Sequence, residues 1–265
     1  MNITTLLDKV YFAPRLKKID FYANRAGELQ HRVLDRLVRM AENTEWGKKY
    51  DYKSIHTYED FRNRLPIQTY EEVKPYVERL RAGEQNLLWP SEIRWFAKSS
   101  GTTNDKSKFL PVSKESLNDT HYQGGKDAVA LYLGQNPDSR FFSGQGLILG
   151  GSHSPNLNSR HGLVGDLSAI LIQNIHPLVN CVRVPSKKIA LMSDFEKKIE
   201  AIANSAISKD VTSLSGVPSW MLVLIKRILE KTGKQSLEEI WPNLEVFFHG
   251  GVAFTPYREQ YKEVI

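Results

Sequence analysis

Cys181 is the sequence's only cysteine. No internal disulfide can form, and a reducing, cytoplasmic setting is the expectation. No apolar run exceeds the six residues of Trp220–Ile225, far short of the roughly 18 that read as a membrane span. The opening stretch MNITTLLDKVYF has no basic lead and no long apolar segment, so no secretory signal is expected. There is no block of five like charges, no internal repeat and no low-complexity tract. The seven histidines contain no HExxH, and His153 and His161 stand eight apart, a poor metal spacing. No metal ligand is therefore expected. GxxxxGK[ST] is absent too, which argues against a kinase or a P-loop ATPase.

What is present is globular. Of 265 residues, 41% are hydrophobic and 25% charged, values that exclude a disordered or collagen-like chain. The length suits one large domain or two modest ones. A chain this long buries about 70–75% of its unfolded surface. Lysine and arginine total 36 against 30 acidic residues, a net charge of +6. The surplus is laid out in pairs such as Lys17-Lys18, Lys48-Lys49, Lys187-Lys188 and Lys197-Lys198, which read as solvated helix faces. No nucleic-acid or membrane partner is expected. A modest positive field suits an anionic small substrate such as a nucleotide or a carboxylate.

The first 90 residues read as mainly helical, a segment packed on the main domain. Leu29, Val33, Leu34, Leu37, Val38 and Ala41 fall on one helix face, with Gly47 just past its expected end. Thr57-Tyr58-Glu59-Asp60 and Thr69-Tyr70-Glu71-Glu72 carry capping-box spacing, with Pro66 between them. From about residue 91 the pattern changes, and residues 91–265 read as an α/β portion. Ile93–Ala97, Lys108–Val112, Leu147–Leu149, Cys181–Val184, Val211–Leu214 and Leu244–Phe248 read as strands. Ser193-Asp194-Phe195-Glu196 opens a helix with the stripe Phe195, Ile199, Ile202, Ala203, Ala206. Pro218 starts another, apolar nearly all round and closed by Lys231 and Gly233. Interleaved strands and helices predict an α/β fold with a mixed, largely parallel sheet flanked by helices. Cys181, in an apolar run, is expected to be buried. Gly144 to Gly151 has the wrong spacing for a dinucleotide fingerprint and reads as turns. Tyr257, Tyr261 and Val264 share a face after Thr255-Pro256, and the chain stops at Ile265 without a polar tail. A natural terminus is usually polar and exposed, so truncation inside a larger protein is the expectation.

The chemistry concentrates in one segment. A β-like run, Trp95-Phe96-Ala97-Lys98, feeds Ser99-Ser100-Gly101-Thr102-Thr103-Asn104-Asp105-Lys106-Ser107-Lys108, and a second β-like run leaves. Small residues let backbone approach a ligand, and turn amides can form an anion-binding nest. Hydroxyls add donors, and Lys106 or Lys108 adds the point charge a phosphate needs. The same residue types also make an ordinary polar hairpin loop, and residue chemistry alone leaves both readings open.

SSGTTNDKSK resembles the first motif of the adenylate-forming superfamily, a Ser/Thr/Gly-rich loop ending in lysine. More narrowly, KSSGTTNDKSKFLPVS is similar to its version in the auxin-responsive (Gretchen Hagen) acyl-amido synthetases and their bacterial relatives. TEWGKKYDYKSI, YEDFRNRLPIQTYEEVKPYVERL, GDLSAIL, LSGVPSWMLVLIKRIL and WPNLEVFFHGGVAFTPYREQY resemble that family in the same order, covering residues from about 40 to 261. One departure is Asn104-Asp105, where many superfamily members carry a glycine. Asparagine tolerates positive φ, and Asp105 would be mildly repulsive to phosphate.

The resemblance implies the N-terminal part of an adenylate-forming enzyme, with 91–265 a nucleotide-binding portion incomplete at its C-terminus. It implies ATP and Mg2+, activation of a carboxylic acid as an acyl-adenylate, and transfer to an amine such as an amino acid. Ser99, Ser100, Gly101, Thr102 and Thr103 would grip the phosphates and Lys108 would be catalytic. Gly250 and Gly251 would wall the adenine. Pro218-Ser219-Trp220 would either line the acyl pocket or pack in the core. The family's second and third motifs do not occur in the sequence, so these 265 residues are expected to be inactive alone. A coenzyme A ligase of the same superfamily and a non-catalytic nucleotide-binding module remain alternatives.

Overall fold

The computed structural model describes residues 3–99 and 107–265. Among them, six α-helices precede the first strand: α1 (Ile3–Leu7), α2 (Ala13–Asn24), α3 (Ala26–Ala41), α4 (Glu45–Lys49), α5 (Tyr58–Arg64) and α6 (Tyr70–Ala82). The strands are β1 (Trp95–Lys98), β2 (Phe109–Val112), β3 (Gln145–Leu149), β4 (Leu163–Gly165), β5 (Arg183–Val184), β6 (Val211–Gly216) and β7 (Val246–His249). Between and after them come α7 (Gln123–Gln135), α8 (Leu167–Asn174), α9 (Lys187–Ala190), α10 (Phe195–Ala206), α11 (Pro218–Thr232) and α12 (Arg258–Lys262). The chain divides into two compact units. One comprises residues 13–131 and 154–165, the other residues 1–12, 132–153 and 166–265.

The first is the hairpin unit. Its sheet has the order β2-β1-β4, with β1 antiparallel to β2 and parallel to β4. Val77, Leu80, Leu87, Ile93, Phe96 and Val164 form the core beneath it. Both capping boxes form. The Thr57 hydroxyl accepts from Asp60 N–H at 3.1 Å, and Asp60 accepts back from Thr57 N–H at 3.0 Å. Glu72 accepts from Thr69 N–H at 2.6 Å. Each box satisfies donors that a helix start leaves orphaned. α3 buries Val38 and Ala41 but leaves Val33 and Leu37 exposed, so only half its expected stripe is covered.

Gly47 corrects the sequence expectation. α3 ends at Ala41 with Glu42 at its cap, and Gly47 lies inside α4. A Cβ there would stand 2.9 Å from the Ala41 carbonyl carbon and 3.0 Å from that of Glu42, with the Ala41 oxygen nearer still. The glycine is required by a close approach of two helices' backbones, not by a left-handed cap.

The second is the parallel-sheet unit. Its order is β5-β3-β6-β7, every pair parallel. Val211 to Leu214 are buried in succession, as expected of a strand covered on both faces. Leu147, Leu149, Ile202, Leu214, Met221, Leu224, Ile225, Ile228 and Trp241 belong to one core. α11 closes on Gly233 with φ 67°, the left-handed cap its sequence predicts. α10 is capped by Asp194, whose side chain accepts from Lys197 N–H at 3.0 Å. The fold is thus the expected α/β type, with the strands shared between two sheets. β4, three residues long, was not foreseen.

Two expectations fail in this unit. Cys181 is exposed. Pro177 at a first helical position starts a 3-10 turn over Pro177–Val182, so only Arg183–Val184 of that apolar run is strand. In the Lys197-Lys198 pair, Lys197 is exposed, but Lys198 is 1% exposed.

Glu200 on α10 ties the two long helices together. It accepts from Arg227 at 2.8 Å and from Lys231, both on α11. These hydrogen bonds hold its carboxyl at about 2, below the ordinary 4.5. A depressed carboxyl favours the folded state above the unfolded-state value and loses that favour as pH falls toward the folded one. Wild-type stability should therefore drop between pH 4.5 and pH 2 more steeply than that of Glu200→Gln. Denaturant midpoints across that window check it, and parallel profiles would contradict it. The difference is expected to be small, because exposed ion pairs are screened.

Candidate functional site

The hairpin loop begins where β1 ends. Ser99 N–H donates to the Lys108 carbonyl at 2.9 Å, and Lys108 N–H donates to the Ser99 hydroxyl at 3.2 Å. The expected ends of the phosphate loop are thus clasped to each other at its mouth. Ser100, Gly101, Thr102 and Thr103, with Asn104, Asp105 and Lys106, lie outside the described residues.

Tyr70 organises the far side of this mouth. Thr69 caps α6 and sets Tyr70 in its first turn. The Tyr70 hydroxyl accepts from Phe109 N–H at 2.9 Å. Its ring carries the Lys108 ammonium 5.4 Å from its centroid, a cation–π contact worth about 0.5–1 kcal/mol at an exposed site. Lys108 is half-buried.

Gly250 and Gly251 belong to the other unit, just beyond β7. Gly251 has φ 83°, a conformation L side chains rarely adopt. Gly250 has no atom within 4 Å of where a Cβ would stand, so open space flanks its backbone. His249 is exposed and stacks on Phe254 at 4.7 Å, a packing role. Pro218 is buried, and its carbonyl accepts from the Tyr261 hydroxyl at 2.9 Å. Trp220 is 37% exposed against Phe195 at 6.0 Å.

Within the order β5-β3-β6-β7, the strand that follows β3 in the chain is its neighbour β5, reached by way of residues 154–165 of the other unit, and the strand that follows β6 is its neighbour β7 on the opposite side. Open parallel sheets bind ligands outside the strands' carboxyl ends, where successive connections diverge in this way. The segments at these strand ends are Gly150–His153 after β3 and Val217, the N-cap of α11, after β6. Within the first, Gly151 N–H donates to the Ser168 hydroxyl and Ser152 N–H to the Asp166 carboxylate, both at 2.8 Å. His153 is half-buried. Burial, with help from Lys187 and Lys198, pushes its imidazole below the ordinary value, so it is neutral at pH 7. Among the described residues no group of three or more His, Cys, Asp or Glu side chains could hold a metal.

Of the residues that sequence reasoning named, Ser99, Lys108, Gly250 and Gly251 lie among the described residues; Tyr70, Asp166 and Lys198 were not singled out. A signal for Lys198 exists. It lies three residues after Phe195 and four before Ile202, on α10's apolar stripe, where a lysine cannot be solvated.

Residues 15–265 match the GH3 family N-terminal domain. The chain is 30% identical over 103 residues to indole-3-acetic acid-amido synthetase GH3.2 of Arabidopsis thaliana, covering 38% of this chain and 19% of that protein. It is 26% identical over 106 residues to jasmonoyl–L-amino acid synthetase JAR4 of Nicotiana attenuata, covering 40% of this chain and 18% of that protein. The solved GH3.15 acyl acid amido synthetase superposes with TM-score 0.70 at 16% identity, over 94% of this chain and 54% of that chain. This chain thus spans about half the length of that solved relative, and the shared fold is its N-terminal portion. With a match across nearly all its residues, the chain belongs to the GH3 family.

Proposed function

We propose that the chain is the N-terminal part of an acyl-acid amido synthetase, a ligase that activates a carboxylic acid with ATP and passes it to an amine, in practice an amino acid. The named relatives are amido synthetases, and the hairpin mouth carries the reading. Ser99 and Lys108 are bonded to each other at the two ends of a hydroxyl-rich stretch of sequence that includes Gly101, and the Lys108 ammonium stands over the Tyr70 ring.

The chemistry needs such a loop. A carboxylate is a poor electrophile, since its charge repels nucleophiles and oxide is a poor leaving group. A carboxylate oxygen attacks the α-phosphorus of ATP, the α-phosphorus–oxygen bond to pyrophosphate breaks, and acyl-adenylate forms. The amine nitrogen then attacks the acyl carbon, AMP leaves, and the nitrogen's proton passes to solvent. Anions converge in the first step, so oriented N–H donors and lysine must offset their repulsion. Holding the reactants in line contributes about 7–11 kcal/mol. Ser99, Ser100, Gly101, Thr102 and Thr103 cradle the phosphates, Lys108 bears on their charge, and Gly250-Gly251 offers an open backbone face to the adenine. Mg2+ commonly arrives with the triphosphate. The described residues offer it no cluster, and the protein's own groups carry the roles above.

The substrates are small molecules, with no nucleic acid or membrane partner, and the setting is cytoplasmic. No described helix is long and apolar enough to cross a membrane. The full-length enzyme should exchange labelled pyrophosphate into ATP in an acid-dependent way. It should then yield an amide with amino acids and no thioester with coenzyme A. Silence across a broad acid panel would count against the reading. The 265 residues alone should form no adenylate, and measurable product from them would contradict the assignment of a partial enzyme.

A further inference from the structure

Residues 3–12 are helical, with α1 followed directly by a π-helical turn over Asp8–Phe12. Their apolar residues Ile3, Leu6, Leu7, Val10 and Tyr11 fall at the i, i+3, i+4, i+7, i+8 spacing of an amphipathic helix. Such a helix normally buries that stripe and leaves its other face wet. Here the arrangement is inverted. Thr4 and Phe12 are buried, and Thr5 and Asp8 are half-buried. The stripe lies outside, with Val10 70% exposed, Ile3 and Tyr11 56%, Leu6 48% and Leu7 37%.

Specific contacts hold the inversion. The Thr4 hydroxyl accepts from Phe142 N–H at 2.8 Å, and the Phe12 ring stacks on Phe142 at 5.4 Å. Phe142 lies in a 3-10 turn, Phe141–Ser143, that is tied to β6, where the Thr212 hydroxyl donates to the Phe141 carbonyl at 2.6 Å. All of these residues belong to the parallel-sheet unit. Rolling the helix over to hide its stripe would break the Thr4 bond and expose Phe12. Cover for the stripe therefore has to come from another surface.

We propose that the occupant is a second copy of this chain, docked stripe to stripe about a twofold axis. Area is the first argument. A large side chain presents about 150–250 Å² when fully exposed, so the five exposed fractions amount to roughly 500 Å² on one copy. Two copies then bury about 1,000 Å², the size at which an interface becomes specific. Charge is the second. Residues 3–12 hold one acid, Asp8, and one base, Lys9, so two copies of this face do not repel each other. An anionic bilayer is a poorer occupant, because a helix that lies on one presents a Lys- and Arg-rich face to water, and the corresponding face here is turned inward. Symmetry is the third. An apolar stripe is complementary to itself, and twofold isologous contacts are the commonest mode of assembly. The family match begins at residue 15, so the stripe lies outside the shared fold and its role is separate from the adenylation reading.

Sedimentation velocity of the whole 265-residue chain over a concentration series tests this. An interface of this size is at the weak end, so a reversible monomer–dimer equilibrium is expected with Kd on the order of 10⁻⁵–10⁻⁴ M. The double variant Leu6→Glu, Val10→Glu should weaken it at least about 10²-fold, because its charges would be buried unpaired across the contact. Both positions are exposed, so Tm should hold within about 2 °C. Leu178→Glu is the control. Leu178 is 72% exposed on the turn before β5, and its replacement should leave Kd within about twofold. Hydrogen exchange needs no variant, since amides of residues 6–11 should exchange more slowly in concentrated than in dilute wild-type protein. A chain that stays monomeric up to about 1 mM would overturn the proposal. A dimer that survives the double variant, or that Leu178→Glu abolishes equally, would overturn it too. Wild-type protein that pellets with phosphatidylcholine–phosphatidylserine vesicles and does not self-associate would assign the stripe to lipid instead. None of these readouts uses pyrophosphate exchange, so failure of the adenylation reading would leave them standing.

Discussion

Replacing Lys108 by alanine in the full-length enzyme should lower acid-dependent pyrophosphate exchange about 10²-fold, the typical cost of removing one preorganised donor aimed at developing charge. AMP affinity should change by less than about threefold, because one phosphate offers far less charge to a lysine than a reacting triphosphate does. The structure makes this a clean substitution. The pairing that closes the loop uses the Lys108 amide and carbonyl, not its side chain. The Tyr70 hydroxyl is anchored by Phe109 N–H, so among the described residues truncating Lys108 forfeits the cation–π contact with that ring. That contact is small, about 0.5–1 kcal/mol, so a large fall in rate could not be blamed on unfolding. Exchange kinetics beside AMP and ATP titrations decide it. Equal losses in AMP and ATP affinity would contradict a phosphate-directed lysine.

What the sequence disclosed was local. Caps at Thr57 and Thr69, the αL glycine after α11 and six of the strands each depend on residues within a few positions of one another, and each formed. The pairing of β1 with β2 was legible for the same reason, since each is a β-like run read from its own residues. Features set by distant partners were hidden. β4 exists because Phe96 has Val164 to pair with, and the two residues between Gly162 and Gly165 carry no strand period. Lys198 looked like half of a solvated pair, because its acceptors lie 46–48 residues away. Cys181 looked buried because its run was apolar, but His176-Pro177 had already started a helical turn there. Composition reports which side chains prefer burial, whereas the packing of other segments decides which of them obtain it.

Gly47→Ala is the stability counterpart of the lysine substitution, and the intrinsic helix preference points the wrong way. Alanine in a helix interior is favoured over glycine by about 1 kcal/mol, so α4 alone would gain. The packing forbids it. Thr44, wholly buried, donates its hydroxyl to the Ala41 carbonyl at 2.7 Å, and Thr44 N–H donates to the same oxygen at 3.0 Å. The Thr44 hydroxyl in turn accepts from Gly47 N–H at 2.9 Å. The carbonyl that an added methyl would strike is therefore pinned by two donors, and the glycine that would carry the methyl is tied to the same threonine. Relief would require breaking this junction of α3 and α4 or shifting Trp46, which packs on the Val38, Ala41, Tyr52 and Ile55 cluster. Overpacking of this kind costs about 1–3 kcal/mol, occasionally more. With backbone as the obstacle we expect the upper end, which lowers Tm by roughly 5–10 °C in a chain of this size. Thermal unfolding of the two proteins measures it, and an unchanged or raised Tm would mean that the α3–α4 junction yields and that helix preference governs the site.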